Sequence, residues 1–121
     1  MGDKSYILEG IESEESKKAL YSTIHGAGRI MSRTQASGKR IWKNGKKVQI
    51  SEGIIKRYMM DDWVKEEDVE LRGAGTDESP HCYKRIDQVL KHHLKTVRVH
   101  HMLTPIGVAM AGDDVEDPYK D

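Results

Sequence analysis

His25 is followed by Gly26, Ala27, Gly28 and Arg29, and Arg33 comes four residues after Arg29. These residue types handle phosphate. A neutral imidazole nitrogen can act as nucleophile, acid or base near neutral pH. Glycines let the backbone come close to a ligand, and the N–H groups of a helix start attract anions. Guanidinium forks match phosphate oxygens. The order of residues therefore points to chemistry at phosphorus. The same pattern is also satisfied by a tight turn with a packing histidine and two surface arginines.

The flanking residues set the expected frame. Leu20 to Ile24 favour a strand, and Ser32 to Ala36 can start a helix. His25 is then expected at a strand-to-helix junction. If Gly28 ends the turn, Arg29 and Arg33 share one face of the helix that follows.

The rest of the chain reads as short alternating elements. Ser5 to Gly10 is a strand, and Ile11 to Lys18 a polar loop or short helix. Ser37-Gly38 ends the helix after the histidine. Arg40 to Lys43, Asn44-Gly45 and Lys46 to Gln49 form a hairpin signal, because Asn-Gly tolerates the positive φ angles of a two-residue turn. The lysines beside that turn could touch RNA, but they are assigned to keeping exposed strand edges soluble. Ser51 is the expected N-cap of an amphipathic helix carrying Ile54, Ile55, Tyr58 and Met59 and reaching about Asp62, with Trp63-Val64 covering its end. Val69 to Arg72 is a short strand.

Gly73 to Asp77 is a glycine-rich loop, but no Gly-Lys-Ser/Thr closes it as a P-loop requires. Ser79-Pro80 should open a helix reaching about Leu94, with Tyr83, Ile86, Leu90 and Leu94 on one face. Val97 to Leu103 alternates as a half-buried strand, and Ile106 to Gly112 reads as a buried strand. The expected fold class is α+β, with short mixed or antiparallel strands and about three helices. Residues 1–112 are taken as one segment and 113–121 as an acidic tail.

Composition narrows the function classes. Among 121 residues, 20 Lys and Arg balance 20 Asp and Glu, so net charge gives no general attraction to nucleic acid. The single cysteine, Cys82, excludes an internal disulfide and reads as a small buried residue. With no long apolar run the chain is expected to be soluble and cytoplasmic, away from membranes. Phenylalanine is absent, so the apolar core is thin and a further packing partner is expected. His92-His93 and His100-His101 are not assigned to a metal, because neighbours on a helix or strand point in different directions, and no Cys-x-x-Cys assists them. No Gly-x-Ser-x-Gly elbow supports a serine hydrolase.

His25-Gly26-Ala27-Gly28-Arg29-Ile30-Met31-Ser32-Arg33 resembles the nucleophile motif of the RtcB-type RNA-splicing ligases. Two further segments extend the resemblance. Met1-Gly2, then Ser5-Tyr6 after a short gap, resembles the end of the family's Gly-Ser-Met-Gly segment and its Ser-Tyr. Glu78-Ser79-Pro80-His81-Cys82-Tyr83-Lys84 resembles its Glu-x-Pro-x-x-Tyr-Lys. The match runs to about Gly112, and family chains are several times longer. The resemblance thus implies the C-terminal part of such a ligase, with Met1 an internal residue exposed by truncation.

The resemblance further implies a staged reaction. GTP guanylylates His25, the guanylyl group passes to an RNA 3′-phosphate (from a 2′,3′-cyclic end), and a 5′-hydroxyl end attacks as GMP leaves. His25, Arg29 and Arg33 are the implied catalytic residues. Ser5, His25, Gly26, Ala27, Gly28 and Tyr83 are the implied nucleotide contacts. The implied cofactors are GTP and manganese, the metal ligands lying in the upstream part of the ligase. Implied partners are RNA, as tRNA halves or broken ends, and that upstream part, without which the chain is expected to be inactive.

Family members end in Lys-Gly after the last apolar strand. Here Met110-Ala111-Gly112 stands in that neighbourhood, and Lys120 is the candidate replacement. The alternative expectation is a small non-catalytic RNA- or nucleotide-binding module, or an inactive ligase fragment.

Overall fold

The computed structural model describes residues 2–112. Met1, Lys120 and the acidic tail 113–121 lie outside the described residues. The element order is β1 (Ser5–Gly10), α1 (Glu14–Lys18), α2 (Arg33–Ser37), β2 (Arg40–Lys43), β3 (Lys46–Gln49), α3 (Arg57–Glu66), β4 (Glu70–Arg72), α4 (Ile86–Lys91), β5 (Val97–Leu103) and β6 (Gly107–Ala109). Short 3₁₀ turns cover Thr76–Glu78 and Pro80–Cys82. The class is α+β, as expected, with four short α-helices among the described residues where about three were expected. The strands form antiparallel ribbons β1–β5 and β2–β3 and a parallel pair β4–β6.

The chain divides into two units. One holds Asp3–Ile30 with Tyr83–Pro105; the other holds Met31–Cys82 with Gly2 and residues 106–112. In the first, β1 pairs along β5 with a register shift between Ile7 and Leu8 that leaves His100 as the extra residue. Leu90 and Val97 are its buried apolar side chains. In the second, Ala36, Ile55, Met60, Val69, Ala74 and Cys82 are buried. Trp63 lies within α3, not beyond its end, and its indole N–H donates to the Gly2 carbonyl at 3.0 Å.

Several boundaries differ from the sequence pattern, each for a local reason. No strand forms over Leu20–Ile24. Leu20 and Tyr21 adopt positive φ (53° and 55°), and the Tyr21 N–H returns to the Ser16 carbonyl at 2.8 Å. The chain thus leaves α1 in a left-handed turn.

The helix expected from Ser51 begins instead at Arg57. The Ile54 and Ile55 N–H groups are taken by the Gln35 and Ala36 carbonyls at 2.9 and 3.0 Å, which α2 leaves open at its C-terminus. The Ser51 hydroxyl accepts from the Lys39 N–H at the base of the hairpin. Gly53 is required here, since an added Cβ would sit 2.1 Å from the Ala36 carbonyl oxygen.

The helix expected from Pro80 to Leu94 is interrupted at Tyr83–Arg85, so α4 spans only Ile86–Lys91. The last apolar run is not a buried strand. β6 is short, Ile106 is 89% exposed, and only Val108 of the strand is half-buried.

Candidate active-site segment

His25 lies in a stretch without regular structure, and its side chain is exposed. The strand-to-helix junction is therefore replaced by an open bend between the α1 turn and α2. Gly28 has φ +78°, a left-handed conformation that glycine adopts without a Cβ clash. Around both Gly26 and Gly28 an added Cβ meets nothing within 4 Å. Gly28 is thus explained by its backbone, whereas nothing in the described chain crowds Gly26.

The downstream end of the bend is pinned. The Lys84 N–H donates to the Gly28 carbonyl at 2.9 Å, and Arg29 forms an isolated antiparallel bridge with Tyr83. The Arg29 guanidinium donates from Nη1 to the Tyr83 hydroxyl at 2.8 Å, with its central carbon 4.8 Å from the ring centroid. A cation over an aromatic face gains electrostatic attraction, so Arg29 and Tyr83 orient one another. This bridge also explains the broken helix: backbone groups at 83 and 84 serve the glycine bend instead of a helical ladder.

Arg33 is held differently, within the other unit. It is the first residue of α2, because Ser32 and Gln35 form a reciprocal capping box. Arg29 therefore precedes the helix and does not share a helical face with Arg33. The Arg33 Nη1 donates to Asp77 Oδ2 at 3.0 Å and also to Glu78 Oε1. Both carboxylates are nearly buried, while the arginine side chain is one-third exposed (33%). Two buried acids need a cation, and Arg33 supplies it. Its Nε and Nη2 edge makes neither of those bonds.

Ser5 opens β1 opposite Leu103. Tyr6, its neighbour, donates its hydroxyl to Asp87 in the first turn of α4. Lys4 approaches the same carboxylate at 3.8 Å, and Arg85 pairs with Asp3 at 3.3 Å. The start of β1 is therefore tied to the start of α4, directly after Tyr83. Hydrogen bonding to Asp87 pushes the Tyr6 phenol up from 10.0 to about 12, and the phenol in turn holds the Asp87 carboxyl below its usual value. Side chains alternate along a strand, so Ser5 faces away from the side on which Tyr6 meets Asp87. The structure thus joins Gly28, Arg29 and Tyr83 directly, with His25 upstream on the same bend. It puts Ser5 on the β1–β5 ribbon and Arg33 in an acid cluster.

The Arg33–Asp77–Glu78 cluster was missed by sequence reasoning. Asp77-Glu78, two adjacent acids at the end of a glycine-rich loop, was the available signal. Among the described residues, no group of three or more His, Cys, Asp or Glu side chains could hold a metal ion. The donor set present does not fit manganese. No described helix is long and apolar enough to cross a membrane.

An exposed histidine on a glycine bend, four residues before an arginine paired with a tyrosine, is a candidate phosphate-handling segment. Comparison with known proteins narrows that class. The family model for tRNA-splicing ligase RtcB matches residues 1–111. RNA-splicing ligase RtcB of Escherichia coli is 35% identical over 106 residues, covering 88% of this chain and 22% of its own length. RNA-splicing ligase RtcB of Mycobacterium tuberculosis is 32% identical over 109 residues, covering 88% and 22%. tRNA-splicing ligase RtcB of Pyrococcus horikoshii is 32% identical over 111 residues, covering 90% and 11%. The chain belongs to the RtcB family of RNA-splicing ligases, and it spans about a fifth or less of the length of these relatives.

Proposed function

We propose that this chain carries the guanylyl-accepting histidine of a GTP-dependent RNA ligase and works with a larger part that supplies the metal. The observation that carries this reading is the exposed imidazole of His25 on a bend whose far end is fixed by Gly28, Arg29 and Tyr83. The His25 lone pair forms a bond to the α-phosphorus of GTP. The bond from that phosphorus to the bridging oxygen breaks, and pyrophosphate leaves with its electrons. The N–H groups of Gly26, Ala27 and Gly28 are proposed to hold phosphate or ribose oxygens. Arg29 stabilises the charge that develops on the transferring group.

Tyr83 and Ser5 are proposed as nucleotide contacts. Arg33 is proposed to offer its Nε/Nη2 edge to RNA phosphate, with Asp77 and Glu78 orienting it. The guanylyl group then passes to an RNA 3′-phosphate, and a 5′-hydroxyl RNA end attacks to join the strands and release GMP. Manganese, which the described residues do not fit, would be held outside this chain. A cytoplasmic location is proposed with this reaction.

The test is incubation with α-phosphate-labelled GTP and manganese, with the upstream part of the ligase supplied. Acid-labile label on the wild type and none on His25→Ala is expected. Equal label on both variants, or none on either, overturns the reading. The second reading, a non-catalytic RNA-binding module, is favoured by the absence of a fitting metal cluster among the described residues. It predicts RNA binding without label.

A further inference from the structure

The proposed reaction leaves the β2–β3 hairpin unused. From Ser37 to Ser51 the sequence holds Lys39, Arg40, Lys43, Lys46 and Lys47 and no Asp or Glu. The register pairs Arg40 with Gln49, Ile41 with Val48, Trp42 with Lys47 and Lys43 with Lys46. Residues directly opposite each other share a face. One face therefore presents Arg40, Trp42, Lys47 and Gln49. The other presents Ile41, Lys43, Lys46 and Val48.

Two features of this hairpin are unfavourable for a bare surface. Lys43 and Lys46 lie directly across the turn from each other, and like charges in that position repel. Trp42 keeps 51% of its surface exposed although tryptophan is costly to leave in water. The Lys47 ammonium lies 5.7 Å from the centroid of its ring. A flexible polyanion with open base faces, passing around the turn end from one face of the hairpin to the other, relieves both costs. Its phosphates neutralise the lysine end, and a base stacks on the indole, as in single-strand binding platforms. A duplex would satisfy the lysines but hides its base faces. A purely acidic peptide would satisfy the lysines but offers no ring to the tryptophan at each charge, as a nucleotide does.

We propose that the β2–β3 hairpin binds single-stranded RNA, with Trp42 as the stacking platform and Lys43, Lys46 and Lys47 as phosphate contacts. The choice of RNA as the polymer rests on the ligase reading above. The lysines then do more than keep the hairpin soluble.

Binding of a fluorescent oligouridylate to the 121-residue chain, followed by anisotropy across a salt series without GTP or metal, tests this. Each phosphate contact on a single strand adds about 0.7 to the slope of log affinity against log salt. Lys43→Gln, Lys46→Gln and Lys47→Gln together should therefore lower the slope by about 2. The matched set Lys18→Gln, Lys65→Gln and Lys91→Gln should leave it unchanged. Trp42→Ala should weaken binding about tenfold at fixed salt, the scale of one lost base stack, and keep the slope.

Equal slopes for the two lysine sets overturn the proposal, as does unchanged affinity of Trp42→Ala. Polyglutamate competing as well per charge as the RNA overturns the base contact. Should hairpin variants bind as wild type while His25 still takes label, this inference fails alone. Should His25 take no label while the hairpin variants lose RNA, the ligase reading fails and the hairpin contact stands.

Discussion

At the residue scale, the glycines of the bend differ in what they require. Gly28 sits at φ +78°, where an alanine pays about 1–2 kcal/mol for its Cβ. Gly28→Ala should lower stability by that amount in denaturant unfolding and disturb the Lys84 pairing. Gly26→Ala meets no atom of the described chain, so its stability should stay within about 0.5 kcal/mol of wild type. Loss of histidine labelling in Gly26→Ala at unchanged stability would locate a ligand or another part of the ligase against that residue.

The arginines separate in the same way. Arg33→Ala removes a charged partner from each of two nearly buried carboxylates and should cost on the order of 3 kcal/mol. Arg29→Ala loses the hydrogen bond and the ring contact to Tyr83, about 1–2 kcal/mol. The arginine spacing was legible in the sequence and its meaning was not. Ser32-Arg33-Thr34-Gln35 is a capping-box pattern that starts the helix at Arg33. That signal outweighs the i, i+4 argument that put Arg29 on the same face.

At the element scale, features fixed by neighbouring residues were legible, and those fixed by distant ones were not. The hairpin is observed with its expected bounds because Asn44 and Gly45 adopt positive φ (52° and 73°), which their own chemistry permits. The start of α3 depends on carbonyls of α2, which no local pattern reveals. The break before α4 depends on Gly28 and Arg29, more than fifty residues upstream.

His100 and His101 show how a small irregularity defeats periodicity. Strand alternation separates adjacent rings, but at the β5 bulge the two centroids are 6.3 Å apart with their planes tilted by 34°. The tie between β1 and α4 carries a pH signature. Tyr6 keeps its proton more tightly when folded, so its contribution is complete below pH 10 and fades as pH rises through about 12. Asp87 is depressed when folded, so its contribution is present above the ordinary carboxylate value and fades as acid protonates it. Tyrosinate absorbance should show one late phenol near pH 12. Tyr6→Phe should remove it, and Asp87→Asn should return it toward 10.0. A late phenol surviving in Tyr6→Phe would assign the shift to another tyrosine.

At the scale of the whole molecule, the balance between buried and exposed apolar groups governs behaviour. Leu20, Tyr21, Ile30, Ile54, Tyr58 and Leu94 are each more than half exposed, whereas among the described residues the fully buried large side chains reduce to Met60 and Cys82 with Ser79. Absence of phenylalanine made a thin core legible from composition, but which residues would stay outside it was not, because periodicity reports a face and not its cover.

So few buried groups leave little to offset the chain entropy of a domain this size. The isolated chain should therefore unfold at low denaturant with a broad transition and bind a hydrophobic dye before the midpoint. Supplying the proposed upstream part of a ligase in trans should stabilise it by mass action, about 2.7 kcal/mol at a hundredfold excess over the dissociation constant. The stabilisation should be the same for His25→Ala, because it comes from covered apolar surface and not from chemistry at the imidazole. A sharp, dye-free transition of the isolated chain, unmoved by the added part, would show that these exposed side chains need no cover.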